Sequence, residues 1–268
     1  MSVYEKISYE LQGDVAIIAF DDAQTLNACG MDTAMELLHA FETAGEQARC
    51  TILTGKGRGF CSGANLSSSS GGVGSDISHK DAKPDAGRSL DAFYNPLINL
   101  IREHPHPVIS AVNGAAAGIG CSLGLIGDIV LCAESGYFLQ AFRRIGLVPD
   151  GGSSYMLTRT IGRVRTMEMA LLGEKLPAEK AMEWGLVNRV VADDKLMDEA
   201  MALAKQLAAG PTIALSLMRK QIWDACDDDL NASLQAERVH QRTAGRSADF
   251  AEGVSAFLEK RPAVFKGE

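Results

Sequence analysis

An α/β fold is predicted by three observations. Short runs rich in β-branched residues recur through the first two thirds of the chain, turn-forming residues bound each run, and segments with helical apolar spacing lie between them. Val15–Phe20 (VAIIAF), residues 51–54, Val108–Val112 and Ile129–Ala133 are the compact runs and are expected to be buried strands. After the first of them, Asp32 can cap a helix in which Met31, Met35, Leu38 and Phe41 recur at helical spacing, ending near Gly45. Residues 59–66 read as turn residues flanking a short extended piece. Residues 67–87 are polar, rich in Ser and Gly and unable to build a core, so they are either a linker or a lid over a site. A glycine and alanine block at residues 113–120 precedes an apolar helix over residues 120–127.

Beyond about residue 195 the strand signals stop. Leu196, Ala200, Leu203 and Leu207 form an apolar stripe that Gly210-Pro211 terminates. Helices are expected over residues 213–225 and 230–241, and Ser247 with Asp249 can start a last one with Phe250, Val254, Phe257 and Leu258 on one face. Such a tail packs either on another subunit or back on its own chain.

Composition narrows the function. At 268 residues and 46% hydrophobic content the chain can bury a sizeable core, and its net charge of −8 argues against nucleic acid as a partner. A small organic or thioester substrate suits an acidic protein better. Six cysteines without C-x-x-C spacing, mostly inside apolar runs, are expected to be buried reduced thiols. The N-terminus has neither a basic start nor an apolar run, so a cytoplasmic protein is expected. Residues 111–133 are apolar enough to suggest a membrane span, but Asn113, Asp128 and the repeated glycines favour a buried strand-turn-helix-strand segment, and no membrane partner is expected. The scattered histidines, His104 and His106 included, lack partners at metal spacing, so no metal is expected.

Three segments can carry chemistry. The block Asn-Gly-Ala-Ala-Ala-Gly-Ile-Gly at residues 113–120 can present backbone N–H groups to a ligand oxygen at a helix start, or can serve close helix–strand packing. Further on, Gly146-Leu147-Val148-Pro149-Asp150-Gly151-Gly152 supplies one carboxylate. Asp150 is either a helix N-cap, ionised by its amides, or a base whose apolar neighbours Phe142, Ile145 and Leu147 raise its pKa. The Gly63-Ala64 pair is a structural turn or, with the later block, half of a two-donor oxyanion site.

With these residues on the page, the chain resembles the enoyl-CoA hydratase/isomerase (crotonase) superfamily from about Val15 to its C-terminus. The resemblance rests on Leu26-Asn27-Ala28, Gly59-Phe60-Cys61-Ser62-Gly63-Ala64-Asn65-Leu66, Pro107-Val108-Ile109-Ser110-Ala111-Val112-Asn113-Gly114, Gly127-Asp128-Ile129-Val130 and Ala181-Met182-Glu183-Trp184-Gly185-Leu186-Val187. It implies a crotonase fold of spiralling ββα units over residues 1–195 holding a CoA-thioester site, with residues 196–268 as a helical oligomerisation region. It also implies a homotrimer or a dimer of trimers, and no cofactor, since coenzyme A is part of the acyl-CoA thioester substrate. The amides of Ala64 and Ile119 would form the oxyanion hole. Ala28, Ser62, Gly63, Asn65, Leu66, Tyr94, Gly118, Ser122 and Phe142 would contact substrate.

Family hydratases carry two catalytic glutamates, and the matching positions hold Ser122 and Phe142. Asp150 matches the acidic residue of family isomerases, which implies isomerisation by a 1,3-proton shift through an enolate. Phe93-Tyr94-Asn95-Pro96-Leu97, Ala141-Phe142, Leu147-Val148-Pro149-Asp150 and the motifs of residues 244–258 are similar to a subgroup that isomerises ring-epoxidised phenylacetyl-CoA in phenylacetate degradation. Straight-chain Δ3,Δ2-enoyl-CoA isomerisation, enoyl-CoA hydration and a catalytically silent CoA-ester-binding subunit are the alternatives. Thr25 stands where many relatives carry a basic residue for CoA phosphates.

Overall fold

A computed structural model describes residues 4–65 and 85–268. Leu66 and nearly all of the 67–87 segment lie outside the described residues.

The chain opens with the hairpin β1 (Ile7–Gln12) and β2 (Val15–Phe20), followed by α1 (Met31–Gln47). Two strand pairs then follow at a distance, β3 (Cys50–Gly55) with β4 (Gly59–Cys61), and β5 (Val108–Val112) with β6 (Ala115–Ala117). Between the pairs lie α2 (Gly87–Ser89), a π turn at Leu90–Tyr94 and α3 (Asn95–Arg102). After α4 (Ile119–Leu125) comes a third pair, β7 (Ile129–Ala133) and β8 (Tyr137–Leu139). A 3-10 turn at Ala141–Ile145 leads to α5 (Ser153–Thr160) and α6 (Gly162–Leu172), and then to β9 (Lys175–Pro177), α7 (Ala178–Glu183) and β10 (Arg189–Val191). The remainder is helical: α8 (Leu196–Ala208), α9 (Thr212–Asp224), α10 (Leu230–Ala244) and α11 (Ala248–Glu259).

Each pair sends its first strand to one sheet and its second to another. The larger sheet has the order β1-β2-β3-β5-β7-β10, parallel from β2 onward; the smaller has the order β4-β6-β8-β9. This is the repeated ββα unit expected from the resemblance. Parallel strands covered on both faces read as continuous apolar runs. Accordingly, Val108 and Val112 of β5 join the core with α1, α3 and α4, while Ile109 and Ala111 join a second cluster under α8. The 196–268 region therefore begins with a helix that covers the sheet, whereas α9 and α10 together bury only Arg219.

Two expectations need correction at α1. Gly30, not Asp32, is the N-cap, and Asp32 instead accepts from the Thr33 amide at 2.8 Å. The buried face is Thr33, Ala34, Leu37, Ala40, Phe41 and Ala44, with Met35 turned to solvent; the helix ends at Gln47, near Gly45 as expected. Small alanines let α1 lie close to the sheet, which shifts the packed face by a residue or two from the large-residue stripe. At the other end Ser247 caps α11 as expected, accepting from Phe250 N at 3.0 Å. Residues 111–133 form β5, β6, α4 and β7, and among the described residues no single helix is long and apolar enough to cross a membrane.

Candidate active site

Two strand ends and one loop bring the sequence-predicted residues together. β4 runs into Ser62, Gly63 and Ala64, where Gly63 has φ +112°. Its carbonyl accepts from Cys29 N at 2.8 Å, and Cys29 forms a parallel bridge with Ala64. The Gly63 carbonyl and the Ala64 N–H belong to one planar trans peptide and point in opposite directions. Fixing the carbonyl on Cys29 therefore aims the Ala64 amide away from Cys29.

The neighbouring strand β6 ends the same way. Gly118, with φ +55°, donates to Leu139 O at 2.9 Å and precedes Ile119, the first residue of α4. A first-turn N–H has no acceptor within its helix. The two glycines pack closely, since a Cβ on Gly118 would stand 3.7 Å from Gly63 Cα. Each donor residue thus follows a positive-φ glycine.

Asp150 approaches from the loop before α5. Its side chain caps nothing: Gly152 is the N-cap of α5 and makes no side-chain cap bond. The main chain of Asp150 is instead the anchored part. Its carbonyl accepts from Ser153 N at 3.1 Å, Ser153 Oγ at 2.9 Å and Ser122 Oγ at 2.9 Å. The carboxyl Oδ1 is buried without a hydrogen-bond partner. Desolvation pushes its pKa up to about 6.

A cavity of about 360 Å³ joins these parts. Ser62, Gly63, Ala64, Gly118 and Ile119 lie on its wall with Asp150, and so do Tyr94 and Phe142. Ala28, Asn65 and Ser122 do not line it. Ala28 is partly exposed, its amide donating to Thr25 Oγ1 at 3.1 Å, and Ser122 is fully buried beneath Asp150. Leu90, Arg144 and Val148 also line the cavity, as do Ile145 and Leu147. Leu90 and Arg144 gave no sequence signal, one following a polar segment and the other an ordinary surface charge. Arg144 donates to Gly173 O at 2.9 Å, and it and Asp150 are the charged side chains among the described lining residues.

The surroundings restrict the chemistry to that carboxyl. The Tyr94 hydroxyl donates to Cys29 O at 2.6 Å, and burial pushes the phenol up, so it remains a protonated donor. Burial likewise holds the Cys61 and Cys121 thiols up at about 12, which removes their thiolates at neutral pH. His104 and His106 are buried 4.2 Å apart by ring centroid, away from the cavity, and are held neutral by desolvation. A base that shares a cavity wall with two backbone amides can remove a proton beside a carbonyl and stabilise the resulting enolate.

Comparison with known proteins agrees with this geometry. The family model described as enoyl-CoA hydratase/isomerase matches residues 10–268. A 1,2-epoxyphenylacetyl-CoA isomerase from Escherichia coli K12 is 48% identical over 82% of this chain and 82% of its own length. A protein named "Probable enoyl-CoA hydratase" from Rhodobacter capsulatus is 40% identical over 98% of this chain and 99% of its own. Among solved structures, an enoyl-CoA hydratase from Polaromonas sp. JS666 superposes with a TM-score of 0.88 at 32% identity, covering 97% of this chain and 99% of that one.

Proposed function

The chain belongs to the enoyl-CoA hydratase/isomerase family and has its crotonase fold, and from that premise we propose that it isomerises an acyl-CoA thioester by a 1,3-proton shift through an enolate. The observation that carries this reading is the Asp150 carboxyl, buried, unpaired at Oδ1 and raised to about 6 on the wall that holds Ala64 and Ile119. Asp150 removes a proton from the carbon beside the thioester, or from its vinylogue. The electron pair moves onto the thioester oxygen, which the Ala64 and Ile119 amides stabilise, and the same carboxyl returns the proton two carbons away. A pKa near 6 keeps both of its protonation states within reach at neutral pH.

Gly63 and Gly118 aim the donors, while Ser62, Tyr94 and Phe142 contact the acyl group. Ser122 acts from below by holding the Asp150 backbone. Ala28, Asn65 and Leu66 are assigned to substrate contact by family resemblance. The apolar wall of Leu90, Phe142, Ile145 and Leu147 suits a ring, and together with the Escherichia coli relative it supports 2-(1,2-epoxy-1,2-dihydrophenyl)acetyl-CoA as the substrate. Proton transfer alone needs no cofactor. Five buried free thiols support a reducing, cytoplasmic setting, and the exposed apolar residues of α11 support a homotrimer or a dimer of trimers.

A panel of CoA thioesters turned over in deuterated water tests the reading. Label should enter the α or γ carbon of the substrate; tight binding with no exchange in any thioester would leave a silent CoA-ester-binding subunit. Hydration is the second reading, favoured by the Rhodobacter capsulatus relative. It requires Asp150 alone to activate water, and water addition to crotonyl-CoA faster than any isomerisation would establish it.

A further inference from the structure

The turn before α1 has a backbone that side-chain-bearing residues avoid. Leu26 and Asn27 are both in the left-handed region, at φ 55° and 62°. Such conformations persist where the surroundings over-determine them. Here Asp22 N donates to Asn27 Oδ1 at 2.9 Å, and the fully enclosed Asn27 amide donates to the carbonyls of Lys56 at 2.9 Å and Gly59 at 2.7 Å. From β4's continuation, Ser62 N donates to Leu26 O at 3.2 Å and Ser62 Oγ to Thr25 O at 2.8 Å. The turn is therefore bound along its length to the strand that ends in Ala64.

Its exit residue is Cys29, whose amide holds the Gly63 carbonyl and so orients the Ala64 N–H of the same peptide. Gly63 is free to rotate that peptide, because it lacks the side chain that would restrict its φ of +112°. What holds Cys29 from the far side is Tyr94. Its ring is buried at the end of the π turn, and its hydroxyl donates to Cys29 O at 2.6 Å. A π turn inserts an extra residue into a helical stretch and is a frequent mark of a functional site. Phenylalanine would fill the same space; only the hydroxyl makes the bond.

We propose that Tyr94 is a positioning residue for the oxyanion donor at Ala64, acting through the carbonyl of Cys29. The inference rests on the reading of the Ala64 amide as a thioester donor. Loss of the hydroxyl loosens the Cys29–Gly30 peptide whose carbonyl it holds, the Cys29 backbone carries the shift to its own amide, the Gly63–Ala64 peptide follows, and the N–H leaves the line of the developing oxyanion.

The test measures carbonyl polarisation directly. Cinnamoyl-CoA labelled with carbon-13 at the thioester carbonyl is bound to wild type, Tyr94→Phe and Asp150→Asn, and its C=O stretch is followed by infrared difference spectroscopy. Wild type and Asp150→Asn should lower the stretching frequency equally, and Tyr94→Phe should lose most of that shift. With phenylacetyl-CoA in deuterated water, Tyr94→Phe should slow α-proton exchange by about 10- to 100-fold at saturation while KM stays nearly constant. An unchanged shift together with unchanged exchange in Tyr94→Phe overturns the proposal alone. No shift in wild type overturns the oxyanion reading, and the proposal falls with it. Should the variant not fold, 4-aminophenylalanine and 4-fluorophenylalanine at position 94 replace it. Only the first can donate, and equal shifts from the two overturn the proposal.

Discussion

Asp150 illustrates how one residue type leaves two roles open until its neighbours are placed. A capping aspartate and a catalytic one look alike beside Pro149 and Gly151, but the cap position belongs to Gly152 and the carboxyl is left with an unpaired buried oxygen. Its pKa of about 6 arises from desolvation, which penalises the charged form. Because the proposed reaction uses the base form, α-proton exchange should rise with pH through about 6 and level off above it, as a pH–rate profile with phenylacetyl-CoA would reveal. Asp150→Asn should abolish exchange. The same shift has the opposite sign for stability. A carboxyl whose folded pKa is raised binds its proton more tightly in the folded state, so stability falls as pH rises from the unfolded value near 4 to the folded value near 6. Asp150→Asn should therefore be more stable than wild type by roughly 1–3 kcal/mol at neutral pH, a gain that fades below about pH 4. Urea titrations at both pH values check this, and a variant less stable at neutral pH would refute the burial argument.

At the scale of elements, the ends of β4 and β6 position the two proposed donors, and each is preceded by a glycine at positive φ. Gly118→Ala isolates the backbone contribution, because the new Cβ would meet nothing closer than 3.7 Å. The strain at φ +55° and ψ −127° should cost about 1–3 kcal/mol. Tilting Ile119 should slow exchange by about 100-fold. Gly162→Ala, also at positive φ with open space around it but far from the cavity lining, should lose stability alone. Glycines in such roles were legible in the sequence because no other residue fills them. So were Val15–Phe20, Val108–Val112 and Ile129–Ala133, whose apolar runs coincide with their strands because both faces of the sheet are covered. β1 was not legible, since its sequence ISYELQ becomes steadily more exposed towards its end. Of the three-residue strands of the small sheet, β4 falls in the short extended piece read at residues 59–66, while β6, β8 and β9 are too short to show a period. The brace at Cys29 left no trace at all, because it acts through a backbone amide and carbonyl that any residue possesses.

The whole molecule divides by what its helices bury. α8 closes the sheet, whereas α9 is held largely through polar groups: Arg219 donates from Nε to Asp128 Oδ2 at 2.5 Å and from its other nitrogens to the carbonyls of His104 and Ile101, and Thr212 Oγ1 accepts from Arg49 Nε at 2.7 Å. Arg219→Ala would leave the part-buried Asp128 carboxylate with the Val108 amide but without its cationic partner, and should destabilise the fold by about 3–5 kcal/mol in urea titration. Beyond that anchor the C-terminal helices hold little of their own apolar surface. Ile222 on α9 and Leu230 and Leu234 on α10 are exposed, and on α11 Phe250, Val254, Phe257 and Leu258 are too, with Phe257 83% and Leu258 73% exposed. Apolar side chains gathered in this way mark a surface that another protein covers, and three copies of a chain with this face can close a ring in which each covers the next. Phe257→Asp with Leu258→Asp places two charges where such a contact would be dry. Because both side chains stand almost clear of their own chain, the substitutions should leave the monomer's secondary structure intact while driving the assembly towards monomers in sedimentation velocity. An unchanged sedimentation coefficient would mean that α11 faces water, and the proposed trimer would have to be built from another surface.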